Sequence, residues 1–229
     1  MHSQEEVAGR ALALGLISLR SQYENGIQHG KDERYRTRGQ QTLQWAREQK
    51  IERFLSEAER QLHEQALGQW SSEAIGECFW RIESMKAAFW CVQLYEAMPS
   101  YFEVGKVNEA YARIPEGKGL AGYLAQARLR DEAEIEKERD FAQFLNWRCR
   151  TELLKLQGMQ PPQGDSYEKV VARALPAIDK EDFPIKHDGV DLLVNGTRFG
   201  ELGEARGDIM SLCYERQLAL EWVLSDDDW

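Results

Sequence analysis

A chain of 229 residues, 42% hydrophobic and 30% charged, is long enough to bury a sizeable core and has the balance of a soluble globular protein. Its net charge of −10 speaks against nucleic acid or an anionic membrane as the main partner, because phosphate binding draws on clustered Lys and Arg. No stretch approaches the ~20 apolar residues of a membrane span, and "HSQEEVAGR" after Met1 has none of the features of a secretory signal, so a cytoplasmic location is expected.

Ser3 and Glu6 have the spacing of a capping box, and the helix that follows carries Ala8, Gly9, Ala11 and Gly15, small residues that permit close packing. Asn25 and Gly26 mark its expected end. A more polar helix is predicted from about Lys31 to Gln49, and another from Ser56, where Ser56 and Glu59 repeat the capping-box spacing. "CFWRIESMKAAFWCVQL" lies within a helix predicted from about Ser72 to Ala97, closed by Met98 and Pro99. Residues 100–130 read as irregular, with short helical pieces around Asn108–Arg113 and Leu120–Arg128.

The longest helix is predicted from Asp131 to Gly158, with Pro161 and Pro162 just beyond, and "SYEKVVARAL" is a short helix that Pro176 terminates. In "GVDLLVNGTRFGEL", Asn195-Gly196 offers a type I′ turn between two strands, and a hairpin that short must pack on helices. A last helix runs from about Asp208 to Leu224, leaving 225–229 as an acidic tail expected to be solvated. The expected fold is mainly α: a single domain over 1–229, a bundle of about seven or eight helices with one small β-hairpin near the C-terminus.

Local catalytic motifs are weak. Gly117, Gly119 and Gly122 spell G-x-G-x-x-G, but Pro115 stands where a strand should end, so no dinucleotide site is expected. His2, His29, His63 and His187 share no metal-ligand spacing and are expected at the surface, while Cys78, Cys91, Cys149 and Cys213 read as reduced core residues.

Charged residues on apolar faces carry more. At 100° per residue Glu83 shares a sector with Phe79, Ala87 and Trp90, whereas Lys86 lies on a stripe expected to reach water. Arg216 sits at the centre of a face formed by Ile209, Leu212, Cys213, Ala219, Leu220 and Val223. Arg148 falls among Phe141, Phe144 and Leu145, with Glu152 one turn on, and Arg10 falls among Val7, Leu14 and Ile17. Buried charges persist only when paired, so Glu83 is expected to bond arginine from another helix, with Arg216 and Arg148 as first partners. Two readings stay open: a structural network orienting four helices, or surplus arginines lining a pocket for an anionic ligand.

In order along the chain, "EVAGRALAL", "WRIESMKAAFW", "ARLRDEAEIE", "NWRCR", "FPIKHDGVDLLVNG" and "ERQLALEWVL" resemble the domain-of-unknown-function family DUF4272, over about residues 5–224. The most specific parts are Trp80, Arg81 and Glu83, then Trp147, Arg148 and Arg150, then Glu215, Arg216, Ala219, Leu220 and Trp222. The resemblance implies a mostly helical single domain and supplies no catalytic residue. The expected function is therefore a non-catalytic cytoplasmic helical domain acting by protein contact or small-ligand binding, with no cofactor, metal, nucleic acid or membrane. The alternatives are an enzyme or sensor with an anionic-ligand pocket built on Glu83 and the arginines, and an acidic partner neutralising a basic toxin. Seven tryptophans also leave room for a homo-oligomer.

Overall fold

The structure is a computed structural model that describes residues 1–30, 32–161, 164–227 and 229. Lys31, Pro162 and Asp228, which enter the predicted second helix, the stop after the longest helix and the acidic tail, lie outside the described residues. Among the described residues ten α-helical segments and a small sheet follow in order: α1 (Gln4–Gln28), α2 (Asp32–Glu48), α3 (Glu57–Glu64), α4 (Ser72–Cys91), α5 (Val107–Tyr111), α6 (Ala121–Leu124), α7 (Glu132–Leu156), α8 (Tyr167–Ala174), α9 (Pro176–Glu181), β1 (Lys186–His187), β2 (Leu192–Val194), β3 (Thr197–Arg198) and α10 (Ala205–Leu224). Seven of these helices have eight residues or more, as the mainly helical reading expects.

The chain forms two compact units: residues 1–99, 105–137 and 215–229, and residues 100–104 and 138–214. Helices α7 and α10 contribute to both.

In the first unit α1 is the central element. Its capping box forms as the sequence predicts, Ser3 with Glu6, and Val7, Ala8, Ala11 to Leu14 and Ile17 are fully enclosed. The small residues do what they promise: a methyl group at Gly9 would overlap the ring of Phe54, so only glycine lets that ring lie flat on α1. Gly26 does not end the helix. It provides the space for the ring of Tyr35, and the chain leaves α1 after Gln28, with Gly30 taking a positive φ of 74°.

Helix α4 stops at Cys91, not near Ala97. Its end is closed locally by a left-handed turn at Gln93 (φ 59°), with the Gln93 N–H donating to Trp90 O at 3.0 Å and the Leu94 N–H to Phe89 O at 2.9 Å, and again from far away: the Arg130 guanidinium donates to the carbonyls of Trp90 (2.7 Å), Tyr95 and Glu96, and the Arg130 N–H donates to Cys91 O at 2.8 Å. Together these bonds satisfy carbonyls a helix end leaves open, and the left-handed turn falls on Gln93, where no glycine announces it.

In the second unit, Phe141 packs between Tyr101 and Phe183, with ring centroids 5.3 Å away in each case. Pro176 does not merely end α8; it occupies the first turn of α9, where its missing N–H costs nothing. The hairpin forms at Asn195-Gly196, with φ of 52° and 83° as a type I′ turn demands, and the register pairs Val194 with Thr197. A third strand extends it, since β1 pairs antiparallel with β2, making the order β1-β2-β3. Leu192 and Val194 point into the unit's core.

Candidate functional site

The five charged residues singled out from the sequence, Glu83, Arg10, Arg148, Arg216 and Glu152, are all buried. They divide among three charged centres.

Glu83 meets Arg216, as expected. Both are fully enclosed; Arg216 Nη2 and Nε donate to Glu83 Oε2 at 2.8 and 3.1 Å, and Arg216 Nη1 reaches the carbonyl of Pro99. Lys86 does not reach water. It is 3% exposed and donates to the other Glu83 oxygen at 2.5 Å, since a cation one turn along the helix can share a carboxylate already inside. This centre is closed, with every carboxylate oxygen occupied.

Arg148 turns to residues of its own unit. Its Nε and Nη2 form a fork on Asp191, 2.7 Å to each oxygen, and Nη2 also donates to Glu152 at 2.9 Å. Asp191 is further held by the N–H groups of Leu192 and Gly200, while Arg206 reaches the second Glu152 oxygen at 3.3 Å. Burial pushes the Asp191 carboxyl up, but the Arg148 hydrogen bonds and charge outweigh it and hold the group below the ordinary carboxylate value. A small cavity of about 230 Å³ opens beside this centre, with Arg148, Glu152 and Asp191 in its wall.

The third centre, in the first unit, is built on Arg10. Two parallel bonds join it to Glu59, Nη1 to Oε2 at 2.5 Å and Nη2 to Oε1 at 2.8 Å, and Nη1 also donates to Phe54 O. Glu59 thus has two tasks, since it also completes the capping box with Ser56. Burial raises its pKa, and the Arg10 bond and charge more than reverse this, so Glu59 stays ionised. Nearby, Arg81 donates to both oxygens of Glu215 at 3.1 Å, and Ser84 donates to the same carboxylate at 2.6 Å.

An aromatic wall lies against Arg10. Trp229 sets its ring 4.3 Å from the Arg10 guanidinium carbon, its centroid is 5.7 Å from that of Trp222, and the His2 ring stacks on Trp222 at 4.1 Å. The C-terminal stretch is therefore not simply solvated: Asp226 and Asp227 are exposed, while Trp229 is half-buried against the cation, an arrangement favoured by the ring's negative face. Arg10, Phe54, Trp222, Trp229 and His2 enclose a cavity of about 460 Å³, with Arg53, Arg60, Glu6 and Glu57 around them. The volume lies in the range of small-molecule pockets.

Two N–H groups of this wall, Arg10 Nε and Trp222 Nε1, are buried and have no hydrogen-bond partner among the described residues. Each such group costs about 1–3 kcal/mol when nothing accepts from it. Other indoles are satisfied: Trp45 donates to Lys118 O and Trp70 to Leu62 O, both at 2.9 Å.

Sequence reasoning missed Glu59 and Asp191 as partners, because it assigned the first to a cap and the second to a strand. It also placed His63 at the surface, yet His63 is 3% exposed. Glu59 and His63 stand one turn apart on α3, so packing that face buries both. The four cysteines are free and buried, as expected. Before Gly117 stands helix α5, not the strand a dinucleotide turn requires. Among the described residues no group of His, Cys, Asp and Glu could hold a metal ion, and no helix is long and apolar enough to cross a membrane.

The profile of the domain of unknown function DUF4272 matches residues 1–175. The match takes in Arg10, Glu59, the Trp80, Arg81 and Glu83 core and the Trp147, Arg148 and Arg150 step, and it ends before the hairpin and α10. No curated protein and no solved structure matched the chain. With most of its length covered by that profile, the chain belongs to the DUF4272 family.

Proposed function

We propose that the protein is a non-catalytic domain that binds a small ligand in the cavity walled by Arg10, Trp222 and Trp229. The ligand class is a planar, acceptor-bearing molecule, with an aromatic carboxylate as the simplest member. One observation carries this: Arg10 and Trp222 line a single cavity, and each holds a buried N–H donor, Nε and Nε1, that has no acceptor among the described residues. A carboxylate oxygen supplies what both lack, and a flat ring suits walls formed by indole and imidazole faces. The non-catalytic reading rests on the polar groups there. Ser56 Oγ on the wall already accepts from the N–H of Glu59 as the cap of α3, the Glu6 carboxylate accepts from the N–H and hydroxyl of Ser3 in the cap of α1, and His2 Nε2 lies 3.1 Å from Asp227 O.

Titration of the protein with benzoate, followed by tryptophan fluorescence, tests the reading. Saturable quenching with a Kd on the order of 1 mM is expected for a ligand of that size. Trp222→Phe keeps a ring but removes the indole donor, and should weaken binding about fivefold. Absence of saturation, or equal affinity in the variant, would refute the assignment.

A further inference from the structure

A second cavity of about 400 Å³ lies in the first unit, walled by Arg47, Glu52, Arg53, Arg60, His63 and Glu64. Three guanidinium groups face two carboxylates there. Arg53 and Arg60 also border the tryptophan cavity, but Arg47 and His63 do not.

His63 is the unusual member. Its side chain is 97% enclosed, and its main-chain carbonyl is held by Arg20, a buried residue of α1 that also donates to Gln65 O at 2.6 Å. The ring is fixed by Nε2, 2.8 Å from Glu52 Oε1. Nδ1 is buried and has no partner among the described residues. Burial first, and then the positive charges of Arg20 and Arg47, lower the imidazole pKa despite Glu52, so the ring is neutral at neutral pH. A neutral imidazole facing a carboxylate through Nε2 must carry its proton there. Nδ1 is then a lone-pair acceptor that lacks a donor.

The cavity therefore combines two demands. The arginines favour an anion with several acceptor oxygens, and Nδ1 favours a group that donates a proton to it. We propose that this cavity is a binding site for inorganic hydrogen phosphate, the oxyanion that meets both. Its charged oxygens accept from Arg47, Arg53 and Arg60, and its P–OH donates to His63 Nδ1. Sulfate has the same shape and charge but no proton at neutral pH. A phosphomonoester, with its second pKa near 6, has lost its proton by about pH 7.5. The assignment stands on the His63 cavity alone and goes beyond the reading of the tryptophan cavity.

Calorimetric titration of the full chain with inorganic phosphate, sulfate and methyl phosphate, at low ionic strength and about pH 7.5, separates the possibilities. Phosphate should bind about tenfold more tightly than either of the others, the effect of one hydrogen bond to a buried acceptor. His63→Gln retains a donor in the place of Nε2 and removes the Nδ1 acceptor; it should bring phosphate down to the affinity of sulfate with little change in thermal stability. Arg47→Gln, an exposed side chain, should weaken all three oxyanions together, and Trp222→Phe should weaken none. Equal binding of phosphate and sulfate would overturn the proposal, as would tight phosphate binding by His63→Gln. No binding tighter than about 10 mM would overturn it as well.

Discussion

Replacing Glu83 by Gln tests whether the closed charged centre holds the first unit together. The carboxylate accepts three hydrogen bonds, two from Arg216 and one from Lys86, and it is fully buried with Arg216, while Lys86 is almost so. The amide has no charge and leaves two cations enclosed without an anion. Breaking a buried pair in this way typically costs about 3–5 kcal/mol. For a chain of this size each kcal/mol lowers Tm by about 2–4 °C, so Glu83→Gln should unfold about 6–20 °C earlier. Arg216→Met is the informative comparison. It leaves Glu83 still neutralised by Lys86 and fills the space with an apolar chain, at the expense of the bonds to Glu83 and Pro99. Its cost should be smaller, about 1–3 kcal/mol. Thermal unfolding followed by circular dichroism, with urea midpoints as a check, measures both. A Glu83→Gln variant as stable as the wild type, or less harmed than Arg216→Met, would refute this account of the centre.

Two further outcomes follow from burial and charge elsewhere. Because Asp191 titrates below its unfolded value of about 3.9, its pairing with Arg148 stabilises fully above that pH and is lost as the pH falls through the lower folded pKa. Asp191→Asn should therefore lower stability at neutral pH and flatten the acid limb of the stability curve; an unchanged acid limb would contradict this. Burial pushes the Cys78 thiol up to about 12, and Cys91, Cys149 and Cys213 are equally enclosed, so a thiol reagent should react with the cysteines only after denaturant is added. Rapid modification of Cys78 in the native protein would show that the core around it opens.

What the sequence disclosed and what it hid divide along a physical line. Features settled within a few residues were legible: both capping boxes, the Asn195-Gly196 turn, and the burial of Glu83 and Arg216 from helix periodicity. Features settled by distant chain were not. Helix α4 ends in a left-handed turn at Gln93 that no glycine signals, and Arg130, some forty residues downstream, bonds the carbonyls there. Lys86 stands on what a wheel reads as a solvent stripe, yet it is drawn inside by the carboxylate it helps neutralise. Helix periodicity offers Glu83 as a partner for Arg148, whereas its actual partner Asp191 stands just before β2, where nothing local distinguishes it. The candidate site was the least legible, because its cavity joins α1, the segment before α3 and the residues around Trp222 and Trp229, and only Arg10 stood out among them beforehand.

The ligand-binding claim rests on the indole N–H of Trp222, and that group can be observed directly. In a nitrogen–proton correlation spectrum the chain's seven tryptophans give seven indole signals, and the loss of one in Trp222→Phe identifies Trp222. Adding benzoate should move that signal downfield as the N–H gains an acceptor, while the signals of Trp45 and Trp70, already bonded to carbonyls, stay in place. A Trp222 signal unmoved at saturating benzoate, or one that shifts no more than those two, would contradict the assignment.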